Sequence, residues 1–161
     1  MPEMTLLGWF HTILGILAVL SGFYTLYRHR VISTEESSGL LYVLVTVLVA
    51  GSALGIYNQG GFGVAHVLAV LTLIALAGGY IMERFKWFGS FSKYFQALGY
   101  TSTLLFHMIP AITDFLRRLP VGDPFIDSFE DPLLLNFHTA FLFIYLLGLV
   151  AQMIWLKRQV V

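Results

Sequence analysis

Cysteine is absent from the 161 residues, which excludes disulfides, thiolate metal sites, iron–sulfur clusters and cysteine nucleophiles. Charge is scarce as well. Asp, Glu, Lys and Arg make up 11% of the chain, against about 25% in a soluble domain. The nine basic and nine acidic side chains cancel, so nothing points to nucleic acid as a partner. There is no HExxH, P-loop or dinucleotide fingerprint, and no distinctive nucleophile setting for Ser/His/Asp catalysis. Internal repeats and low-complexity tails are also missing. Apolar residues are abundant, at 58%, with a mean hydropathy of +0.81. The chain reads as one integral membrane domain over residues 1–161.

A helix crosses the roughly 30 Å hydrocarbon core with about 20 mostly apolar residues. Five segments meet that test, at 6–27, 39–57, 62–82, 94–115 and 133–156. Continuous apolar runs such as Leu40–Ala50 and Val67–Ala77 argue against a transmembrane barrel. The expected fold class is therefore all-α, a bundle of five transmembrane helices. Gly60, Gly61 and Gly63 tighten the turn before the third span, and Pro120, Pro124 and Pro132 punctuate the one long loop, 116–132. Glu3 stands where a signal peptide carries a basic n-region, so the first span does not read as a cleaved signal.

Lys and Arg set the orientation. Arg28, Arg30, Arg84, Lys86, Lys93, Lys157 and Arg158 fall at one set of ends, and only Arg117 and Arg118 at the other. Asp114, Asp123, Asp127, Glu130 and Asp131 collect with that second pair. The expectation is a multi-pass protein of the inner (plasma) membrane, with its N-terminus outside and its C-terminus cytoplasmic.

Histidine placement narrows the function. His29 sits between two arginines in an inner loop, but His11, His66, His107 and His138 lie within four different spans. At about 1.5 Å per residue, all four fall roughly 6–10 Å below the outer edge. Small residues (Gly8, Gly15, Ala18, Gly22) share the side of His11, and Gly63, Ala69 and Ala77 accompany His66, which marks close helix packing. In the fourth span Gln96, Tyr100, Thr103, His107, Ala111 and Asp114 form one stripe, and Tyr145 and Gln152 continue the face of His138. Pro110 disturbs the helix one turn past His107.

Four imidazoles at one depth suit a transition metal ion such as Cu, Zn or Fe, with Asp114 as second-shell orienter or acid/base. Haem b is the alternative occupant. It would take two histidines as axial ligands and Arg117 and Arg118 near its propionates. For any one of the histidines taken alone, interhelical hydrogen bonding is the simpler account; four at one level favour a shared site. Gly51 and Gly55 form a GxxxG pair on the second span, a face for packing, for a homo-oligomer or for a larger membrane complex. Tyr57, Asn58 and Gln59 are candidates to line the site. Trp9, Trp87 and Trp155 read as interfacial belt residues. Phe125, Ile126 and Phe129 alternate with Asp127 and Glu130, which suits an amphipathic segment on the membrane or a lid, although a solvated loop is the simpler reading.

The pattern of His11-xxx-Gly15, His66 opening the third span, and Phe106-His107-Met108-Ile109-Pro110 resembles small bacterial inner-membrane proteins whose spans carry recurrent histidines. Its general plan is similar to that of b-type cytochrome membrane subunits. The first resemblance lends no activity, and the second implies haem held by paired histidines. Diheme members of that group place histidine pairs at both membrane faces, whereas this chain has one layer.

The leading expectation is thus a four-histidine metal centre near the outer face, serving redox chemistry as a membrane-bound oxidoreductase, metal handling, or assembly of a respiratory complex. The alternatives are a b-type electron-transfer cytochrome, a proton or metal-ion transporter using the fourth-span stripe, and a structural accessory subunit.

Overall fold

The computed structural model describes residues 5–57 and 61–159, and among them it is all-helical, with no strand. The expectations for Glu3, Asn58, Gln59 and Gly60 lie outside the described residues. Five α-helices follow in order: α1 (Leu6–His29), α2 (Ser37–Ala53), α3 (Val64–Phe85), α4 (Ser92–Arg118) and α5 (Pro132–Arg158). A single 3-10 turn, Gly89–Phe91, leads into α4.

Local chemistry sets the helix ends. Thr5 caps α1 by accepting the Gly8 N–H at 3.1 Å, and Asp131 caps α5 through Leu133 N–H at 2.8 Å with Pro132 at the first helical position. Arg30 closes α1 in the left-handed region at φ 68°, returning its N–H to the Leu26 carbonyl. At the end of α2, Gly55 N–H bonds Ser52 O at 3.0 Å and Ile56 N–H bonds Ala53 O at 3.1 Å. This tightening to i→i−3 bonds ends the helix four residues before the expected limit of the second span.

Three helices, α1, α3 and α5, are long and apolar enough to cross a membrane. With 17 residues α2 falls short of that length, while α4 has 27 but carries the polar stripe. The long apolar helices bury little of themselves. Only 11% of the apolar window of α1 and 11% of that of α5 is inside the protein. Ile13, Ile16 and Leu20 on α1, and Phe143, Ile144 and Leu147 on α5, stand outward as rows suited to hydrocarbon rather than water.

Packing centres on α4, which contacts α1, α3 and α5, while α2 bridges α1 and α3. The main core joins Ala18, Tyr42, Val49, Leu76, Tyr100 and Leu104. Small residues allow this approach. A Cβ on Gly99 would sit 2.7 Å from the Ala75 carbonyl oxygen, and one on Gly79 would sit 2.8 Å from the Tyr100 ring. A second core, of Leu116, Ile126 and Leu134, pins the long loop to the ends of α4 and α5. Phe125 stacks on Phe115 at 6.3 Å, and Phe125 N–H bonds Leu119 O at 2.9 Å. The expected amphipathic segment is therefore a folded, non-helical loop whose Ile126 points into protein.

Candidate functional site

On α2, Tyr42, Thr46, Val49 and Ser52 recur at helical spacing and form one face. Polar groups of α1 and α4 meet that face on successive turns. The Nδ1 of His11 lies 3.2 Å from Val49 O and 3.0 Å from Ser52 Oγ. Ser52 already donates its hydroxyl hydrogen to Val49 O at 2.9 Å, so the ring nitrogen is the donor in both contacts. Neutral His11 therefore carries its proton on Nδ1 and leaves Nε2 as a bare lone pair. One turn deeper, His107 is buried, with Nε2 3.2 Å from Thr46 Oγ1 and its ring edge-on to Tyr42 at 6.4 Å.

Tyr42 extends this polar file. Thr103 donates to Tyr100 O at 2.7 Å, so in the 2.5 Å contact with Tyr42 the phenol is the donor. Both Tyr42 and Thr103 are completely buried. Tyr100 then links this interior segment to the basic end of the molecule, because its own hydroxyl donates to Glu83 Oε2 at 2.8 Å.

Glu83 is the most heavily bonded side chain among the described residues. Its Oε1 accepts Ser33 Oγ at 2.6 Å, Thr34 N–H at 2.8 Å and Gln96 Nε2 at 3.1 Å, while Oε2 accepts Thr34 Oγ1 at 2.7 Å as well as Tyr100. Five donors from the α1–α2 loop and α4 thus converge on one carboxylate of α3. Gln96 also donates to Ile32 O at 3.1 Å. Gly39 makes room for this loop, since any Cβ there would overlap the Ser33 carbonyl.

The remaining histidines go elsewhere. His66 caps its own helix, its Nδ1 accepting the Gly63 N–H at 3.1 Å. Its ring packs between Tyr57, at 4.7 Å, and Phe62, at 5.1 Å, and buried Nε2 has no partner among the described residues. His138 belongs to a different interface. Thr113 donates to Ile109 O, so His138 Nε2–H donates to Thr113 Oγ1 at 3.2 Å across the α4–α5 seam. Tyr145 and Gln152 repeat the pattern with Ser102 at 2.8 Å and Thr101 at 2.9 Å. These three polar residues of α5 form a zipper on α4.

Hence the expected meeting of four imidazoles is not found. Among the described residues, no three His, Asp or Glu side chains are placed to hold a metal ion. Position along a helix axis does not fix direction around it, and the rings of His66 and His138 turn to other neighbours. The stripe on α4 also divides. Gln96, Tyr100, Thr103 and His107 face inward, whereas Ala111 and Asp114 are exposed past Pro110. Asp114 pairs with Arg118 at 2.8 Å on the surface, and the Arg117 guanidinium lies over the Phe129 ring at 4.0 Å. Gly55 falls beyond the end of α2, so Gly51 and Gly55 do not make a helical GxxxG face.

Glu83, Tyr42, Thr46 and Ser52 were missing from the sequence-based candidates. A usable signal existed for Glu83, as an acid in the last turn of an apolar helix facing Gln96 and Tyr100 at i, i+4.

No family model, curated protein or solved structure matches this chain.

Proposed function

We propose that this is a multi-pass membrane protein that transfers protons along the file between α2 and α4. In this reading all five helices cross the bilayer of the inner (plasma) membrane, with the N-terminus outside and the Lys/Arg-rich ends in the cytoplasm. The observation that carries it is the alignment of His11 and His107 on successive turns of α2, continued by Tyr42 and Thr103 to Tyr100. Imidazole is the side chain that takes and releases protons near neutral pH, and hydroxyl groups pass them on. The bare Nε2 of His11 is the entry point. Tyr100 joins the two halves of the file, its carbonyl closing the interior segment and its hydroxyl opening onto Glu83. Bridging waters would complete two steps, from His11 to His107 and from the Thr103 hydroxyl past the Tyr100 carbonyl to the Tyr100 hydroxyl.

The donor set fits a resident transition metal less well. A closed metal site needs three or four protein ligands, and no such group is placed together among the described residues. The haem reading loses the arginines set aside for its propionates, because Arg118 holds Asp114 and Arg117 holds Phe129.

Proton flux into liposomes tests the proposal. An acid pulse outside vesicles loaded with a pH-sensitive dye, with valinomycin and K⁺ to relieve charge build-up, should acidify the lumen faster when the protein is present. Rates equal to those of protein-free vesicles would contradict it.

A further inference from the structure

Near the basic end, residues of α1, α4 and α5 line a cleft of about 650 Å³. That size falls within the roughly 300–1,000 Å³ range of small-ligand sites. Leu26 and Ile154 give it apolar walls, Gly148 leaves space along α5, and Trp155, Arg30 and Arg158 also line it. The polar side chains of Thr101 and Gln152, bonded to each other, lie on its lining too. Among the described residues, no carboxylate lines it. Glu83 accepts five bonds, Glu36 lies 3.8 Å from His29, and neither they nor Glu35 of the α1–α2 loop line the cleft. Neither Arg30 nor Arg158 forms an ion pair with another described residue.

Backbone structure places both residues at this mouth. Arg30 is the left-handed cap of α1, and its carbonyl is clamped by Gln152 Nε2 of α5 at 2.9 Å. Arg158 is the last residue of α5, one turn beyond Trp155. Two arginines lining one cleft with apolar walls and an aromatic are complementary to a phosphodiester headgroup joined to acyl chains.

We propose that this cleft binds one anionic phospholipid. Arg30 and Arg158 hold the headgroup phosphate, and an acyl chain lies against Leu26, Gly148 and Ile154. Basic pockets between membrane helices on the Lys/Arg-rich side select anionic lipids by the same chemistry. The proposal rests on the membrane-spanning reading but not on proton transfer.

Trp155 supplies the test. In full-length W9F/W87F protein, reconstituted in phosphatidylcholine vesicles, Trp155 fluorescence is measured with a minor fraction of brominated phosphatidylglycerol or of brominated phosphatidylcholine. Strong quenching in wholly brominated phosphatidylcholine establishes insertion separately, so failure of the membrane reading is distinguishable from failure of this one. The expected result is quenching about tenfold more effective per mole with phosphatidylglycerol. Arg30→Asn, which tolerates the left-handed cap, combined with Arg158→Gln should bring the two lipids to parity. Gly148→Leu, which fills the cleft, should weaken quenching by both. Parity in the parent protein, undiminished preference in the double variant, or unchanged quenching in Gly148→Leu would overturn the proposal. Relief of quenching by inorganic phosphate would overturn it too, assigning the arginines to a free anion. If the double variant fails to fold, the parent ratio and Gly148→Leu decide the matter.

Discussion

The Thr46 hydroxyl lies 3.2 Å from His107 Nε2, and both groups are buried between α2 and α4. Through this contact, with the neighbouring bond of Tyr42 to Thr103, α2 reaches α4 by side chains alone. Thr46→Val keeps the shape and removes the hydroxyl, leaving an unpaired ring nitrogen. The expected cost is about 1 kcal/mol, read as a lowered thermal midpoint in detergent. An unchanged midpoint would mean that the contact contributes nothing.

Glu83 ties the α1–α2 loop to α3 and α4 through five donors. Glu83→Gln replaces one acceptor oxygen by an NH₂ group, which must face at least two of those donors. The expected loss is about 2 kcal/mol, because hydrogen bonds to a charged acceptor are the stronger kind. The loop should open with it. Trypsin cleavage after Arg28 or Arg30 in detergent-solubilised protein should then accelerate, and an unchanged digestion rate would argue against the latch.

Two glycines should respond oppositely to the same change. At Gly99 a methyl group would meet the Ala75 carbonyl at 2.7 Å, so Gly99→Ala must push α3 and α4 apart. At Gly15 a Cβ meets nothing within 4 Å, and Gly15→Ala gains the intrinsic helix preference of alanine, up to about 1 kcal/mol. Thermal unfolding of the two variants should shift in opposite directions.

The α5 zipper predicts a purely structural role for Gln152. Gln152→Ala removes the bonds to Thr101 and to the Arg30 carbonyl, so α5 should loosen and the protein lose about 1–2 kcal/mol. Proton flux per folded molecule should stay at the parent rate. A folded but flux-deficient variant would place α5 in the transport path.

Much of the helical architecture was readable because apolar runs and helix caps are local signals. The three long apolar helices follow directly from hydropathy, whereas Pro132, read as loop punctuation, is the first residue of α5 behind the Asp131 cap. The second span was overestimated because Ile56 and Tyr57 are apolar enough to extend the pattern, whereas the turn at Leu54–Gly55 depends on backbone bonding. The site was legible only in part. The inward stripe from Gln96 to His107 follows from spacing on one helix. The bonding of His138 to Thr113, rather than to His107, depends on how α5 rotates against α4, and no pattern within either helix encodes that angle. Glu83 was passed over because Arg84 beside it makes the pair resemble an ordinary charged helix end.

The most direct test of the central claim is proton flux in liposomes for the four single alanine variants at His11, His66, His107 and His138. The file between α2 and α4 predicts that His11→Ala and His107→Ala each slow flux by about tenfold or more. His66→Ala and His138→Ala should remain near the parent rate once corrected for the folded fraction. Equal losses at all four positions, or parent-like flux without His107, would contradict the account.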